Sequence, residues 1–238
     1  MKETHFFYVP KTTETDELPR EEAIHAAKVL RLKPGDDIYL MDGVGNFYHA
    51  QMNLATAKHC LYEIKEILPQ QPTWKGHIHL AIAPTKDMGR MEWLVEKATE
   101  IGFDEISFLN CQFSERHILK TERVERIVIS AMKQSRKAWK PKINSMINLT
   151  DFIKTNTSRN KFICHCYPEI KRRDLFEQLS PLTDDVLVMI GPEGDFSVAE
   201  VEAAMAMGFN SASLGNSRLR TETAGISAIM QANLKLRK

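Results

Sequence analysis

From His77 onwards the sequence alternates short apolar runs with stretches of helical spacing, and this alternation restricts the fold more than any other feature. "HIHLAIAP" sets Ile78, Leu80 and Ile82 against polar or small residues. "MGRMEWLVEKATEIG" then carries Met91, Leu94, Val95, Ala98 and Ile101 at helical intervals. "EISFLN", a long helix from about Thr121 to Trp139, and "KFICHC" follow. "VLVMI", a helix over 197–207, "SASLG" and a helix over 221–236 complete the series. Such a pattern builds an α/β layer around a mostly parallel sheet. "VLVMI" is apolar throughout, as a central strand covered on both faces must be.

The stretch before His77 reads differently. "HFFYV", "DIYLMD", "NFYHAQMNL" and "CLYEIKEIL" are strand-like and are separated by turn signals such as "PGD" and "DGVGN". One helical piece, "REEAIHAAKVLRL", interrupts them with Ile24, Ala27 and Leu30 on one side. "GVGNF" at 43–47 lies between two strands and lacks the third glycine of a dinucleotide loop, so it reads as a hairpin turn. The expected division is a small β-barrel over 1–70, a linker over 71–76 within "LPQQPTWKG", and an α/β domain over 77–238. Internal repeats and low-complexity segments are absent from the sequence.

Composition narrows the class of partner. With 238 residues, 43% hydrophobic and 26% charged, the chain is an ordinary globular protein of one large or two smaller domains. Thirty-two basic residues against thirty-one acidic leave +1, so nucleic-acid binding would have to come from local patches. Cys60, Cys111, Cys164 and Cys166 form no C-x-x-C pair, and one C-x-C cannot supply a four-ligand zinc site. His77 and His79 stand at strand spacing without a third ligand nearby, so no metal is expected. "MKETHFFYVP" has no apolar signal core, and no stretch approaches the ~18 apolar residues of a membrane span. No membrane association is expected, and a cytoplasmic location is.

The chemistry concentrates in two loops. "MIGPEGDFSVAE" runs the apolar strand into Gly191-Pro-Glu-Gly-Asp195, and Ser197 with Glu200 forms a capping box that starts a helix. Residues 191–196 therefore lie at the carboxyl end of a buried parallel strand, where open α/β sheets place their ligands. Gly191 and Gly194 let the backbone approach a ligand, and Pro192 stiffens the turn between them. Glu193 and Asp195 oppose a phosphate and favour a cationic guest or ribose hydroxyls; a tight acidic turn capping the helix accounts for the same residues. In "LGNSRLRTETA", Thr221 reads as N-cap and Glu222 as first-turn acid of the last helix. Arg220 gains nothing from that helix dipole, so a phosphate or an oxygen gaining negative charge is its expected partner.

"GPEGDFSVAE" and "LGNSRLRTETA", preceded by "TKDMGRMEWLVEKATEIG", resemble the small-subunit ribosomal RNA methyltransferases that act at uridine N3. That family belongs to the SPOUT class, whose cofactor site is a trefoil knot. "HAAKVLRLKPGDDIYLMDGVG" is similar to its N-terminal PUA-like RNA-binding barrel, so the resemblance spans nearly the whole chain. It implies a barrel followed by a knotted α/β domain, usually a homodimer, with S-adenosylmethionine bent among three loops. The matching positions are His165 and Cys166, Gly191, Pro192, Glu193 and Gly194, and Leu214, Gly215, Asn216, Arg218 and Leu219. The chain departs from the family pattern at Asp195 where "GPEGG" is expected, at Ser217 and Arg218 where Arg-Ile is expected, and at Lys133 and Lys137.

For such a reaction Arg220 is the candidate for stabilising charge on uracil O2 and O4, or for holding a phosphate of the flipped nucleotide. Glu222 is the candidate base, directly or through water, although capping explains it as well. Lys133, Arg136, Lys137, Lys140 and Lys142 surround Trp139 and read as phosphate contacts with a stacking aromatic, or as a solvated helix face. His25, Lys28, Arg31 and Lys33 form a second basic flank, and Arg116 in "FSERH" matches a family arginine. The expected partner is small-subunit ribosomal RNA, free or in an assembled particle. Methylation at another RNA position, a non-catalytic RNA-binding dimer and a small-molecule nucleotide enzyme are the competing readings.

Overall fold

The computed structural model describes residues 5–179 and 184–238; Met1–Thr4, which open the N-terminal stretch considered above, lie outside the described residues. The chain divides into two compact units, residues up to Pro72 with Ile129–Lys140, and Thr73–Val128 with Pro141–Lys238.

The first unit is built on a four-stranded sheet in sequence order: β1 (Phe6–Tyr8), β2 (Asp37–Met41), β3 (Asn46–Ala55) and β4 (Cys60–Pro69). β1 pairs with β2 in parallel, and the other two pairings are antiparallel. The inward positions of these strands, Phe7, Ile38, Leu40, Ala50 and Met52, form one core with Ala23 and Ala26. Ala23 comes from α1 (Arg20–Ile24) and Ala26 from the π-helical turn over His25–Val29 that continues it. Ala23 and Ala26 are buried, and of the three residues expected on one side Ala27 and Leu30 pack against this core while Ile24 is exposed.

Helix α3 (Thr121–Ser135) stops short of the expected Trp139. Arg136 takes the left-handed conformation with φ 53°, and Lys137 N–H bonds Met132 C=O at 3.0 Å, closing a Schellman-type end. Residues 138–140 then pair with the β2–β3 turn, Gly45 N–H to Ala138 C=O at 3.0 Å and Lys140 N–H to Gly43 C=O at 2.8 Å. A Cβ on Gly45 would lie 2.3 Å from the Trp139 ring, so this turn needs glycine for packing as well as for its φ of 110°.

The second unit carries a seven-stranded parallel sheet. Its elements are β5 (His77–Ile82), α2 (Met88–Ile101), β6 (Glu105–Asn110), β7 (Lys142–Asn148), α4 (Leu149–Thr155) and β8 (Lys161–Cys164). β9 (Arg173–Asp174), α5 (Leu175–Gln178), β10 (Asp185–Ile190), α6 (Val198–Ala206), β11 (Asn210–Ser213) and α7 (Thr221–Leu236) complete it. The strand order is β7-β6-β5-β10-β8-β11-β9. β7 and α4 have no clear counterpart in the apolar pattern, because β7 is an end strand beside β6 that exposes part of each face, while α4 spans seven residues. β10 is central and buried from Val186 to Ile190, as its continuous apolar run requires. One face packs on α6 and α4 through Leu187, Met189, Val201, Phe152 and Phe196. The other receives α7, where Gly225 brings the helix so close that a Cβ would lie 2.6 Å from Leu94 Cδ1 of α2.

Candidate functional site

The chain passes from β8 through β9 to β10 and then to β11, yet β8 lies between β10 and β11 in the sheet. The loops leaving the carboxyl ends of these three adjacent strands therefore converge, and together they line a cleft of about 1170 Å³. That volume suits a small-molecule site rather than a packing defect.

The loop after β8 is held by its own polar groups. Tyr167 N–H donates to His165 Nδ1 at 3.3 Å, which leaves Nε2 protonated to donate to Ser211 Oγ at 2.7 Å. Burial lowers the His165 pKa, opposed by Asp195 and assisted by Arg172, so the ring is neutral at pH 7. Arg172 donates to the His165 carbonyl at 2.5 Å, and Tyr167 OH donates to the Phe196 carbonyl at 2.7 Å. Desolvation and the Asp195 carboxylate push the Cys166 thiol up, so it stays protonated and is not a nucleophile at neutral pH.

The loop after β10 is shaped by Gly191 and Asp195. A Cβ on Gly191 would meet the Phe196 backbone nitrogen at 2.9 Å, because the chain folds back on itself there. Asp195 N–H closes the turn on the Pro192 carbonyl at 2.9 Å. Asp195 has φ 67°, a region where glycine is the default and aspartate is tolerated. Its side chain bonds Cys166 N–H at 2.8 Å. The departure from "GPEGG" therefore exchanges backbone freedom for a tie between two loops. Glu193 accepts Lys86 N–H at 3.0 Å, fastening the same turn to the segment after β5. The capping box is present, with Ser197 Oγ accepting Glu200 N–H at 3.3 Å and Glu200 accepting Ser197 N–H at 2.8 Å.

In the loop after β11, Gly215 has φ 99° and open space where a Cβ would stand. Arg220, not Thr221, is the N-cap of α7; Thr221 is already helical, and no side chain caps the end. That leaves the first amides of α7 beside the cleft, with Thr221 and Ala224 among its lining residues.

The positions singled out from the sequence distribute as follows. His165, Cys166, Gly191, Pro192, Glu193, Gly194, Leu214, Gly215, Asn216, Arg218, Leu219 and Arg220 all line the cleft. Glu222 is buried behind it and is not a lining residue. Arg116 donates to the Thr85 and Lys86 carbonyls and so anchors its own loop. Lys133 pairs with the buried Glu22 at 2.7 Å, Arg136 lies 5.5 Å from the Phe6 ring centroid and Lys140 5.7 Å from that of Tyr8. These three belong with Lys137, His25, Lys28, Arg31 and Lys33 to the first unit, where His25, Lys28, Arg31, Lys33 and Arg136 are exposed. Among the described residues no group of three or more His, Cys, Asp or Glu could hold a metal ion; His79 bonds Ser107 Oγ at 2.8 Å instead.

Arg90 and Arg172 also line the cleft and were not singled out from the sequence. Arg90 sits inside "MGRMEWLVEKATEIG", where the apolar spacing explains the helix and leaves the polar positions unread. "IKRRD" was a legible basic signal for Arg172.

Comparison with known proteins assigns the chain. An RNA methyltransferase domain model matches residues 72–233, and an RNA methyltransferase PUA domain model matches residues 18–65. The chain belongs to the RNA methyltransferase family. Its relatives include ribosomal RNA small subunit methyltransferase E of Rickettsia conorii, 31% identical over 92% of this chain and 89% of that protein. A structure from Porphyromonas gingivalis described as a "probable rRNA-methyltransferase" superposes with a TM-score of 0.91 at 42% identity, covering 98% of each chain. Ribosomal RNA small subunit methyltransferase E of Neisseria gonorrhoeae, bound to S-adenosyl methionine, superposes with a TM-score of 0.82 at 26% identity over 95% of each chain. This RNA methyltransferase thus pairs a PUA-type strand unit with a parallel-sheet catalytic unit. Among the described residues no helix is long and apolar enough to cross a membrane.

Proposed function

We propose that this enzyme transfers a methyl group from S-adenosylmethionine to N3 of one uridine in small-subunit (16S) ribosomal RNA. The observation that carries the reading is the convergence of three strand-end loops on one cleft that combines exposed peptide, two acids and several arginines.

The residues present fit the cofactor. Ile190, Pro192, Leu214 and Leu219 offer apolar surface to an adenine ring, and the glycine-bearing loops offer peptide groups to its edge. Glu193 and Asp195 on the cleft wall suit a sulfonium. When bound, S-adenosylmethionine supplies an electrophilic methyl group. The chain's own part is alignment and charge stabilisation. Arg220, an exposed residue of the cleft lining, would hold a phosphate of the target nucleotide. The neutral His165 and the protonated Cys166 serve the loop geometry.

We also read residues 1–70 as the RNA-binding module, 71–76 as a linker and 77–238 as a knotted catalytic domain, except that residues 129–140 group with the first unit. The position of β8 between β10 and β11 supports the knot. The grouping of Arg136, Lys137 and Lys140 with His25, Lys28, Arg31 and Lys33 in one unit supports RNA contact there. Exposed Met230 and Leu234 on α7 support assembly as a homodimer. The substrate implies a cytoplasmic location.

The test is methylation by the purified protein of naked 16S RNA and of assembled small subunits from cells lacking the enzyme, with the product mapped by mass spectrometry. N3-methyluridine at one site in either substrate supports the reading. Methyl groups on ribose or guanine, or no transfer together with no heat on titration of S-adenosylmethionine, overturn it.

A further inference from the structure

The close approach of α2 and α7 at Gly225 has a second effect one turn earlier on each helix. Arg90 precedes Leu94 by one turn, and Glu222 precedes Gly225 by one turn, so the same contact brings their side chains together. Arg90 Nε lies 4.0 Å from Glu222 Oε1. Glu222 is 7% exposed, and its second carboxylate oxygen is buried with no hydrogen-bond partner among the described residues. A buried carboxylate is costly unless a charge or a donor compensates it, and the cation beside it is Arg90. Arg90 in turn lines the cleft, together with Gly191, Glu193, Arg220 and Thr221, and its side chain is 38% exposed. A guanidinium has donors on both edges, so it can face Glu222 on one side and a ligand on the other.

We propose that Arg90 is a catalytic residue that donates to a carbonyl oxygen of the target base flanking the methylated nitrogen, with Glu222 as the positioning residue that fixes its guanidinium. The inference rests on the uridine-N3 reading. There the imide proton passes to water, and the pair it leaves on N3 forms the new nitrogen–carbon bond. The electrons of the breaking sulfur–carbon bond stay on sulfur. Until that bond forms, negative charge spreads onto the flanking oxygens, and a fixed guanidinium stabilises it. Glu222, behind Arg90, holds it without touching the base. Arg220 remains for a phosphate.

The experiment uses the full chain and its Arg90→Ala, Arg90→Lys and Glu222→Gln variants on small subunits, with rates measured from about pH 6 to about pH 10. Arg90→Ala is expected to lower kcat on the order of a hundredfold. Its affinity for S-adenosylmethionine by titration is expected to stay within about threefold of wild type. Its rate keeps rising at alkaline pH after the wild-type rate has levelled, because an unassisted imide needs a higher pH to ionise. Glu222→Gln shows the same displacement in smaller measure, and Arg90→Lys recovers part of the rate. A loss of cofactor affinity in step with the rate puts Arg90 on the cofactor and overturns the proposal, as does an unshifted pH profile in folded Arg90→Lys and Glu222→Gln. Wild-type product lacking N3-methyluridine refutes the underlying reading instead, so the two failures are distinguishable.

Discussion

Asp195 accepts the backbone N–H of Cys166 at 2.8 Å, and this bond, beside that from Tyr167 OH to the Phe196 carbonyl, joins the loop after β10 to the loop after β8 at the cleft. The residue making it holds φ 67°, so backbone and side chain ask for different amino acids at one position. Glycine relieves the conformation and loses the bond; alanine loses the bond and keeps the strain; asparagine tolerates both. The expected order of affinity for S-adenosylmethionine is wild type, then Asp195→Asn, Asp195→Gly and Asp195→Ala. The alanine variant should be about tenfold weaker or worse, corresponding to ~1.4 kcal/mol. Titration calorimetry on the four proteins reads this directly. An alanine variant as tight as wild type would show that the tie does not shape the cofactor seat.

Gly191→Ala tests the turn itself. The added methyl group would stand 2.9 Å from the Phe196 nitrogen and 3.1 Å from the Asp195 carbonyl carbon, and both are backbone atoms that cannot rotate away. The loop must open to admit it. Affinity for S-adenosylmethionine is expected to fall by at least about tenfold. The thermal midpoint should drop by only a few degrees, roughly the response to 1–2 kcal/mol in a domain this size. Unchanged binding would mean that Gly191 serves folding alone.

The loops of the cleft are legible in the sequence because their signals are local. A buried apolar strand, two glycines and a capping box occur within one short stretch, and "LGNSRLRTETA" again runs from a strand end through a polar loop into a helix. Thr221 was misplaced as N-cap because Thr-x-x-x before an apolar run fits either the cap or the first helical position. Arg90 is not legible, since its meaning depends on a contact with Glu222 more than a hundred residues away. The same holds for the end of α3: the left-handed Arg136 follows from pairing of 138–140 with the Gly43–Gly45 turn, which no local signal announces. β7 and α4 fail for a third reason, being a strand with mixed burial and a short helix whose periodicity has no length in which to repeat.

His79 makes acid stability testable. It is 6% exposed, and its pKa is lowered from 6.5 to about 4, chiefly by burial, with His77 and Lys142 assisting and Glu105 opposing. Phe152 packs edge-on against the ring. Above pH 6.5 the ring is neutral in folded and unfolded chains, and the full contribution is present. As pH falls from 6.5 towards 4, the unfolded chain binds a proton that the folded chain refuses, so stability is lost over that window. The loss amounts to about 3 kcal/mol at most. Urea unfolding at about pH 7 and about pH 5 should show a marked decline for wild type and a flatter response for His79→Gln, which keeps a donor for Ser107. Equal declines in the two proteins would remove His79 as the cause.

Lys133 was read from the sequence as an RNA contact, but in the structure its ammonium lies 2.7 Å from the carboxylate of Glu22, which is 7% exposed. The second Glu22 oxygen is buried with no hydrogen-bond partner among the described residues, so Lys133 is the main compensation for that charge. Removing it strands a buried carboxylate, whereas removing both partners does not. Lys133→Ala should destabilise the protein by roughly 2–4 kcal/mol. Adding Glu22→Gln to it should recover a large part of the loss. Arg136→Ala, at an exposed position over the Phe6 ring, should change stability by under about 1 kcal/mol and weaken RNA binding instead. Denaturant titration and a salt-dependent RNA-binding assay separate the two kinds of effect. If Lys133→Ala keeps wild-type stability and loses RNA affinity, the ion pair is incidental and the lysine belongs to the RNA surface after all.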